Sequence, residues 1–105
     1  MAARILRRLK AAHDAEGIAD HIAKDSLEFA VRFLENAETT LKDLSKLPGS
    51  GSPFESDHPD LAHLRYRRVE GFPNYLIFYV EHTDAIEVLR ILHGARDLEK
   101  ALTTT

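Results

Sequence analysis

Two groups of side chains in the last third of the chain have the types and spacing that chemistry needs. Arg65, Arg67 and Arg68 put three guanidiniums into one short run. Such a run suits phosphate or an acidic peptide segment, because the planar fork of arginine meets both oxyanions with paired hydrogen bonds. Equally, it suits an edge strand guarded by charge. The second group, Arg90, His93, Gly94, Arg96 and Asp97, lies where a strand-like run gives way to a short helical tail. A histidine in this place is either a general acid or base or a hydrogen bonder at a strand end, which makes His93 a candidate for either role. Arg96 and Asp97 are either a partner-binding pair or a local ion pair or helix cap. Gly94 tolerates unusual backbone angles at the exit.

Other candidates are weaker. Tyr75 and Tyr79 read as packing or partner contacts in preference to catalysts. Six histidines invite a metal, yet His13 and His21 stand two helical turns of about 5.4 Å apart, too far to share one ion. His58 and His63 fall in a loop with no fitting third ligand, so no metal site is expected. With no cysteine in the chain, disulfides and thiolate zinc sites are excluded.

These residues need a scaffold, and periodicity supplies it. Residues 3–9 predict a short strand, and Ala11 to Lys24 a helix whose narrow apolar face is mostly alanine and isoleucine. A second helix begins at Asp25 or Ser26. Its stripe Leu27, Ala30, Leu34, Ala37, Leu41 and Leu44 is the clearest periodic signal in the chain, and Phe29, Val31 and Phe33 widen it, which predicts cover on more than one side. Pro48 and Gly49 stop this helix. A loop rich in turn formers follows, pinned by Phe54, and then strands from Leu64 to Glu70, Tyr75 to Val80 and Ile86 to His93. The last two pair as a hairpin across Glu81 to Ala85. By alternation, Leu76, Phe78 and Val80 oppose Tyr75, Ile77 and Tyr79, and Ile86, Val88, Arg90 and Leu92 oppose Leu89, Ile91 and His93. A sheet apolar on both faces, with helices enough for one, leaves the other face as a candidate surface for a partner or a site.

A chain of 105 residues, 44% hydrophobic, is expected to form one domain over residues 1–105. The net charge of -3 argues against a general nucleic-acid coat. It is unevenly spread: the first ten residues carry four bases and no acid, and residues 11–62 carry eleven acids against four bases, which predicts an acidic helical layer beside a locally basic sheet. MAARILRRLK has no apolar run of signal-peptide length, and no stretch approaches the roughly 18 apolar residues of a membrane span. A cytoplasmic protein is therefore expected, with Thr103, Thr104 and Thr105 as a fraying tail.

In order, the elements and several short motifs resemble the RelE/ParE superfamily of small bacterial toxins from type II toxin-antitoxin systems. Matching pieces are Asp14, Ile18, Asp20 and Ile22; Ala30-x-Arg32-Phe33-Leu34; Leu47-Pro48 and Gly51; Leu64-Arg65; Val69-x-Gly71-Phe72-Pro73-x-Tyr75; and Val88 to Gly94 followed by Arg96-Asp97. The fold implied is α+β: an N-terminal strand, a two-helix hairpin packed on a mostly antiparallel sheet of about four strands, and a short C-terminal helix.

The superfamily carries two activities on one fold. RelE-like members are ribosome-dependent mRNA endoribonucleases, whereas ParE-like members inhibit DNA gyrase. RNA cleavage without metal needs a base, an acid and cations for the phosphorane. Many RelE-like chains place an Arg directly after the first aromatic of the central strand. Here that position is Leu76. The Phe72-Pro73 entry and His-Gly-x-Arg-Asp exit resemble the ParE branch. The resemblance thus implies a plasmid-stabilisation toxin without cofactor that arrests growth, binding its target through Arg90, His93, Arg96 and Asp97. It implies a ParD-like or other antitoxin held at Arg65, Arg67, Arg68, Tyr75, Ile77 and Tyr79, in a hetero-oligomer or beside a toxin homodimer. The alternatives are a ribosome-dependent nuclease using Arg65, Arg67, Arg68, Arg90 and His93, and a non-toxic relative that keeps only antitoxin binding.

Overall fold

The computed structural model describes residues 2–104. Eight elements run in the order β1 (Arg4–Arg7), α1 (Leu9–Ala23), α2 (Leu27–Lys46), β2 (Ser52–Pro53), β3 (Arg65–Val69), β4 (Phe72–Glu81), β5 (Ala85–His93) and α3 (Leu98–Thr103), with 3-10 turns at Pro48–Ser50 and Pro59–Leu61. The expected strand over 3–9 is shorter, because α1 already starts at Leu9. Ser26, not Asp25, caps α2: its Oγ accepts the Phe29 N–H at 3.1 Å. Thr103 ends α3 with its hydroxyl on the Glu99 carbonyl instead of fraying, and Thr105 lies outside the described residues.

The sheet has five strands in the order β1-β5-β4-β3-β2, with β1 parallel to β5 and the rest antiparallel. The strand beyond the four expected is the two-residue β2, inside the Pro/Gly loop and beside Arg65 and Tyr66. Pro53 is tolerated there because β2 is an edge. The glycine with a left-handed backbone is Gly71, φ +77, which turns β3 into β4. Gly94 has no such φ and instead donates its N–H to the Asn74 carbonyl at 2.8 Å.

One core lies between the helices and the sheet: Phe33, Ala37, Leu41 and Leu44 of α2 meet Val69, Ile77, Tyr79, Ile86, Val88 and Ile91. Strict alternation would send Val88 and Ile91 to opposite faces. A bulge corrects this, since Phe78 pairs Arg90 while Tyr79 pairs Val88, leaving Leu89 extra. Ile91 thereby joins the helix side and Leu89 the other. The opposite sheet face is not open as the sequence predicts. Leu61, Leu64 and Phe54 of the long loop, with Leu98, Ala101 and Leu102 of α3, pack over Leu76, Phe78 and Leu92.

What stays uncovered is elsewhere. Leu27, Phe29, Val31 and Leu34, expected to be covered on several sides, are 71%, 50%, 50% and 41% exposed. Among the described residues no other element covers this flank of α2.

Candidate functional site

Arg90 sits at the bulge of β5 and is already committed. Its Nε and Nη2 donate to both oxygens of Asp14 on α1 at 2.7 and 2.9 Å, and its Nη1 donates to the Ala101 carbonyl of α3 at 3.1 Å. The Ile91 N–H also donates to Asp14, at 3.0 Å. Hydrogen bonding to Asp14 raises the Arg90 pKa against the opposing effect of burial. With side chains 17% and 14% exposed, the pair is a clamp joining α1, β5 and α3. It presents little cation to a target. No local signal marks Asp14 as its partner, 76 positions away.

At the end of β5, His93 accepts the Ala95 N–H on Nδ1 at 3.0 Å, which assigns its proton to Nε2. Its ring stands edge-on to Tyr75, and Tyr75 edge-on to Phe33, with centroids 5.1 and 5.4 Å apart. Of its two sequence readings, this geometry is the strand-end hydrogen bonder. Asp97 is the cap of α3, its Oδ1 accepting the Lys100 N–H at 3.2 Å. Arg96 is exposed and forms no ion pair among the described residues. It shares a cleft of about 450 Å³ with Lys10, Lys100 and Thr104. Lys10 and Lys100 are cations that sequence spacing did not associate with Arg96; α3 folding back beside the start of α1 brings them together.

The arginines of β3 alternate. Arg65 donates to the Gly49 and Gly51 carbonyls at 3.3 and 2.8 Å and Arg67 to Ser50 Oγ at 3.0 Å, tying β3 to the loop after α2. Arg68 donates to the Pro73 carbonyl at 2.9 Å. Among the described residues none of the three has a carboxylate partner, whereas Arg7, Arg8, Arg32 and Arg90 each have one.

Two residues expected at an antitoxin surface are core residues. Ile77 and Tyr79 are 0% exposed, because they point from the middle of the sheet into the helical layer. The Tyr79 hydroxyl donates to the Pro48 carbonyl at 2.7 Å and accepts the Gly51 N–H at 2.9 Å. Burial pushes its pKa up. Tyr75 keeps partial exposure.

A cavity of about 660 Å³ opens on the second sheet face between Phe54, Tyr66, Arg68, Leu76, Gly94 and Leu98. Of the five residues in the nuclease reading, only Arg68 lines it. Arg65 and Arg67 follow Val69 toward the other face, Arg90 is held by Asp14, and His93 stacks on the helix side. Leu76 occupies the wall with an aliphatic side chain. Among the described residues no three His, Asp or Glu side chains come together as a metal-binding group, and no helix is long and apolar enough to cross a membrane.

A two-helix hairpin over a five-stranded mixed sheet, with a short helix on the far face, defines a small α+β protein of the RelE/ParE type. Family comparison narrows this: the model of the ParE toxin of the type II toxin-antitoxin system parDE matches residues 5–98, and the chain belongs to that family. Among solved structures, it is similar to one described as the chromosomal ParDE toxin-antitoxin system from P. aeruginosa. That match has a TM-score of 0.70 and 22% identity, over 88% of this chain and 96% of the other. It also resembles a YoeB/ParE toxin from Agrobacterium tumefaciens, with a TM-score of 0.57 and 16% identity, over 86% of this chain and 96% of the other. At these identities the structural likeness speaks to the fold. No curated protein matches the chain in sequence.

Proposed function

We propose that this ParE-family chain is a growth-arresting toxin that inhibits DNA gyrase in the bacterial cytoplasm and is neutralised by a cognate antitoxin. The observation that carries this choice within the superfamily is the cavity wall. Leu76 stands where a nuclease of this fold would place a cation, and Arg65, Arg67, Arg90 and His93 do not converge on the cavity. On this reading Arg96, with its neighbours Lys10 and Lys100, meets the target, while Arg90, Asp97 and His93 hold the end of β5 and α3 in position. The antitoxin contributes carboxylates to Arg65, Arg67 and Arg68, none of which has one among the described residues. It also covers the apolar flank of Leu27, Val31 and Leu34, as a tail that folds on binding would do.

Pulse labelling of DNA and protein synthesis, minutes after inducing the chain without antitoxin, tests this. Thymidine incorporation should collapse while methionine incorporation persists. An early fall in methionine incorporation would overturn the reading in favour of ribosome-dependent mRNA cleavage, and no fall in either would mark a binder without toxicity.

A further inference from the structure

Three cations from separate parts of the chain line the cleft of about 450 Å³ at the base of α3: Lys10 from the start of α1, Arg96 from the turn after β5, and Lys100 from α3 itself. All three are exposed, and among the described residues none forms an ion pair. Lys10 gives one donor to the Thr104 carbonyl, at 3.2 Å, out of the three that an ammonium carries. Arg90 also lines the cleft, but Asp14 neutralises it, and its bond to the Ala101 carbonyl fixes α3, and with it Lys100, beside α1. That leaves three cations against one lining carboxylate, Asp97, so the cleft keeps a charge of +2 in a chain whose net charge is -3. Like charges held together by the fold favour an anion seated between them.

Two features choose an acidic peptide over a nucleic-acid strand. Asp97 accepts the Lys100 N–H on Oδ1, which leaves Oδ2 as an acceptor beside the cations. A peptide brings N–H donors together with its carboxylates, whereas the backbone of a strand brings oxyanions. The surroundings act in the same direction. From Lys10, α1 continues through Asp14, Glu16 and Asp20 with no lysine or arginine before Lys24. A strand with a phosphate about every 3.4 Å would run from the cleft onto these acids, and a short acidic segment would end inside it.

We infer that this cleft docks an acidic protein segment, with carboxylates close together in sequence, and that the segment belongs to the target. The inference rests on the reading that Arg96 and its neighbours meet the target, and it deepens that reading: at this cleft the chain takes hold of protein and not of DNA. The contact is electrostatic and exposed, so it sets the rate and specificity of encounter more than the final affinity, and it weakens as salt rises.

Titration of the full-length, isotope-labelled chain with a capped hexa-aspartate peptide, followed by amide chemical shifts, tests the chemistry. Single-stranded hexathymidylate and inorganic phosphate serve as comparisons. The peptide should shift Lys10, Arg96 and Lys100 and bind more tightly than either. Arg96→Gln and Lys100→Gln should each weaken it about two- to fivefold, the worth of one exposed ion pair, and together about tenfold. Lys42→Gln on α2 should leave it unchanged. Oligonucleotide or phosphate binding as tightly as the peptide at these three residues would overturn the inference, as would peptide shifts confined to Arg65, Arg67 and Arg68. Growth without antitoxin tests whether the segment is the target's. The Arg96→Gln, Lys100→Gln double variant, its fold checked by the same spectra, should arrest growth less than the parent chain, and full arrest would overturn the assignment. The two readings fail separately: a failed titration in a chain that stops DNA synthesis removes this contact and leaves gyrase standing, and peptide binding by a chain that spares DNA synthesis removes gyrase alone.

Discussion

Tyr79 does at the scale of one residue what the sequence offered no means of reading. Its hydroxyl crosses from the central strand to the loop after α2 and engages both the Pro48 carbonyl and the Gly51 N–H. Tyr79→Phe should therefore cost about 1–3 kcal/mol in chemical denaturation, because the buried Gly51 N–H and the partly buried Pro48 carbonyl lose their partner. Gly51→Ala should also destabilise, since a Cβ there would lie 2.3 Å from the Tyr79 hydroxyl oxygen. Gly17 is the counterexample: nothing lies within 4 Å of a Cβ built there, so Gly17→Ala on α1 should stabilise by up to about 1 kcal/mol. Alternation placed Tyr79 beside Ile77 and Tyr75 correctly. A tyrosine on an apolar strand face looks the same in sequence whether it meets a partner or its own loop, and only the packing separates the two.

At the scale of elements, single carboxylates hold the layers together. Asp14 anchors α1 to β5 and, through Arg90, α3. Asp14→Ala leaves a largely buried guanidinium without its counter-charge, held by the Ala101 carbonyl alone, and the Ile91 N–H without its acceptor, which should cost about 3 kcal/mol. Hydrogen exchange would locate the loss in α3 and the start of α1. Glu87 joins Arg8, just past β1, at 2.7 Å to His82 of the β4–β5 turn at 2.9 Å. Hydrogen bonds from His82 first and Arg8 second hold its pKa below the usual carboxylate range. A carboxylate depressed in the folded state contributes stability above its unfolded pKa and loses it as pH falls through the folded one. Acid unfolding midpoints should thus move less with pH in Glu87→Gln than in the parent chain. Helix α2 was legible because its stripe repeats for five turns and its cap is local. The bulge at Leu89 was not, since an extra residue in an unbroken apolar run disturbs no periodicity that can be counted.

For the molecule as a whole, order and intervals of elements were the legible part, and they led to the family. Coverage was less so. An apolar stripe predicts that a helix has a buried face without telling where its neighbours stop, which is why Leu27 and Val31 read as core and stand 71% and 50% exposed. Sedimentation of the isolated chain should show concentration-dependent association through this flank, reduced by Leu27→Ser with Val31→Ser. The denaturation midpoint of that double variant should stay within about 0.5 kcal/mol of the parent, as for surface changes generally.

The pairing of the first strand with the last has a consequence in time. Arg4 faces Ala85 and Arg7 faces Val88, and β5 is the one sheet neighbour of β1 and a neighbour of β4 as well. Until Ala85–His93 has left the ribosome, β1 has nothing to join, β4 lacks a flank and Asp14 has no Arg90. Contacts of such sequence separation form late. A chain under synthesis is therefore unfinished as a fold until β5 has emerged, and a cell gains that interval, each time the message is read, before a folded copy exists.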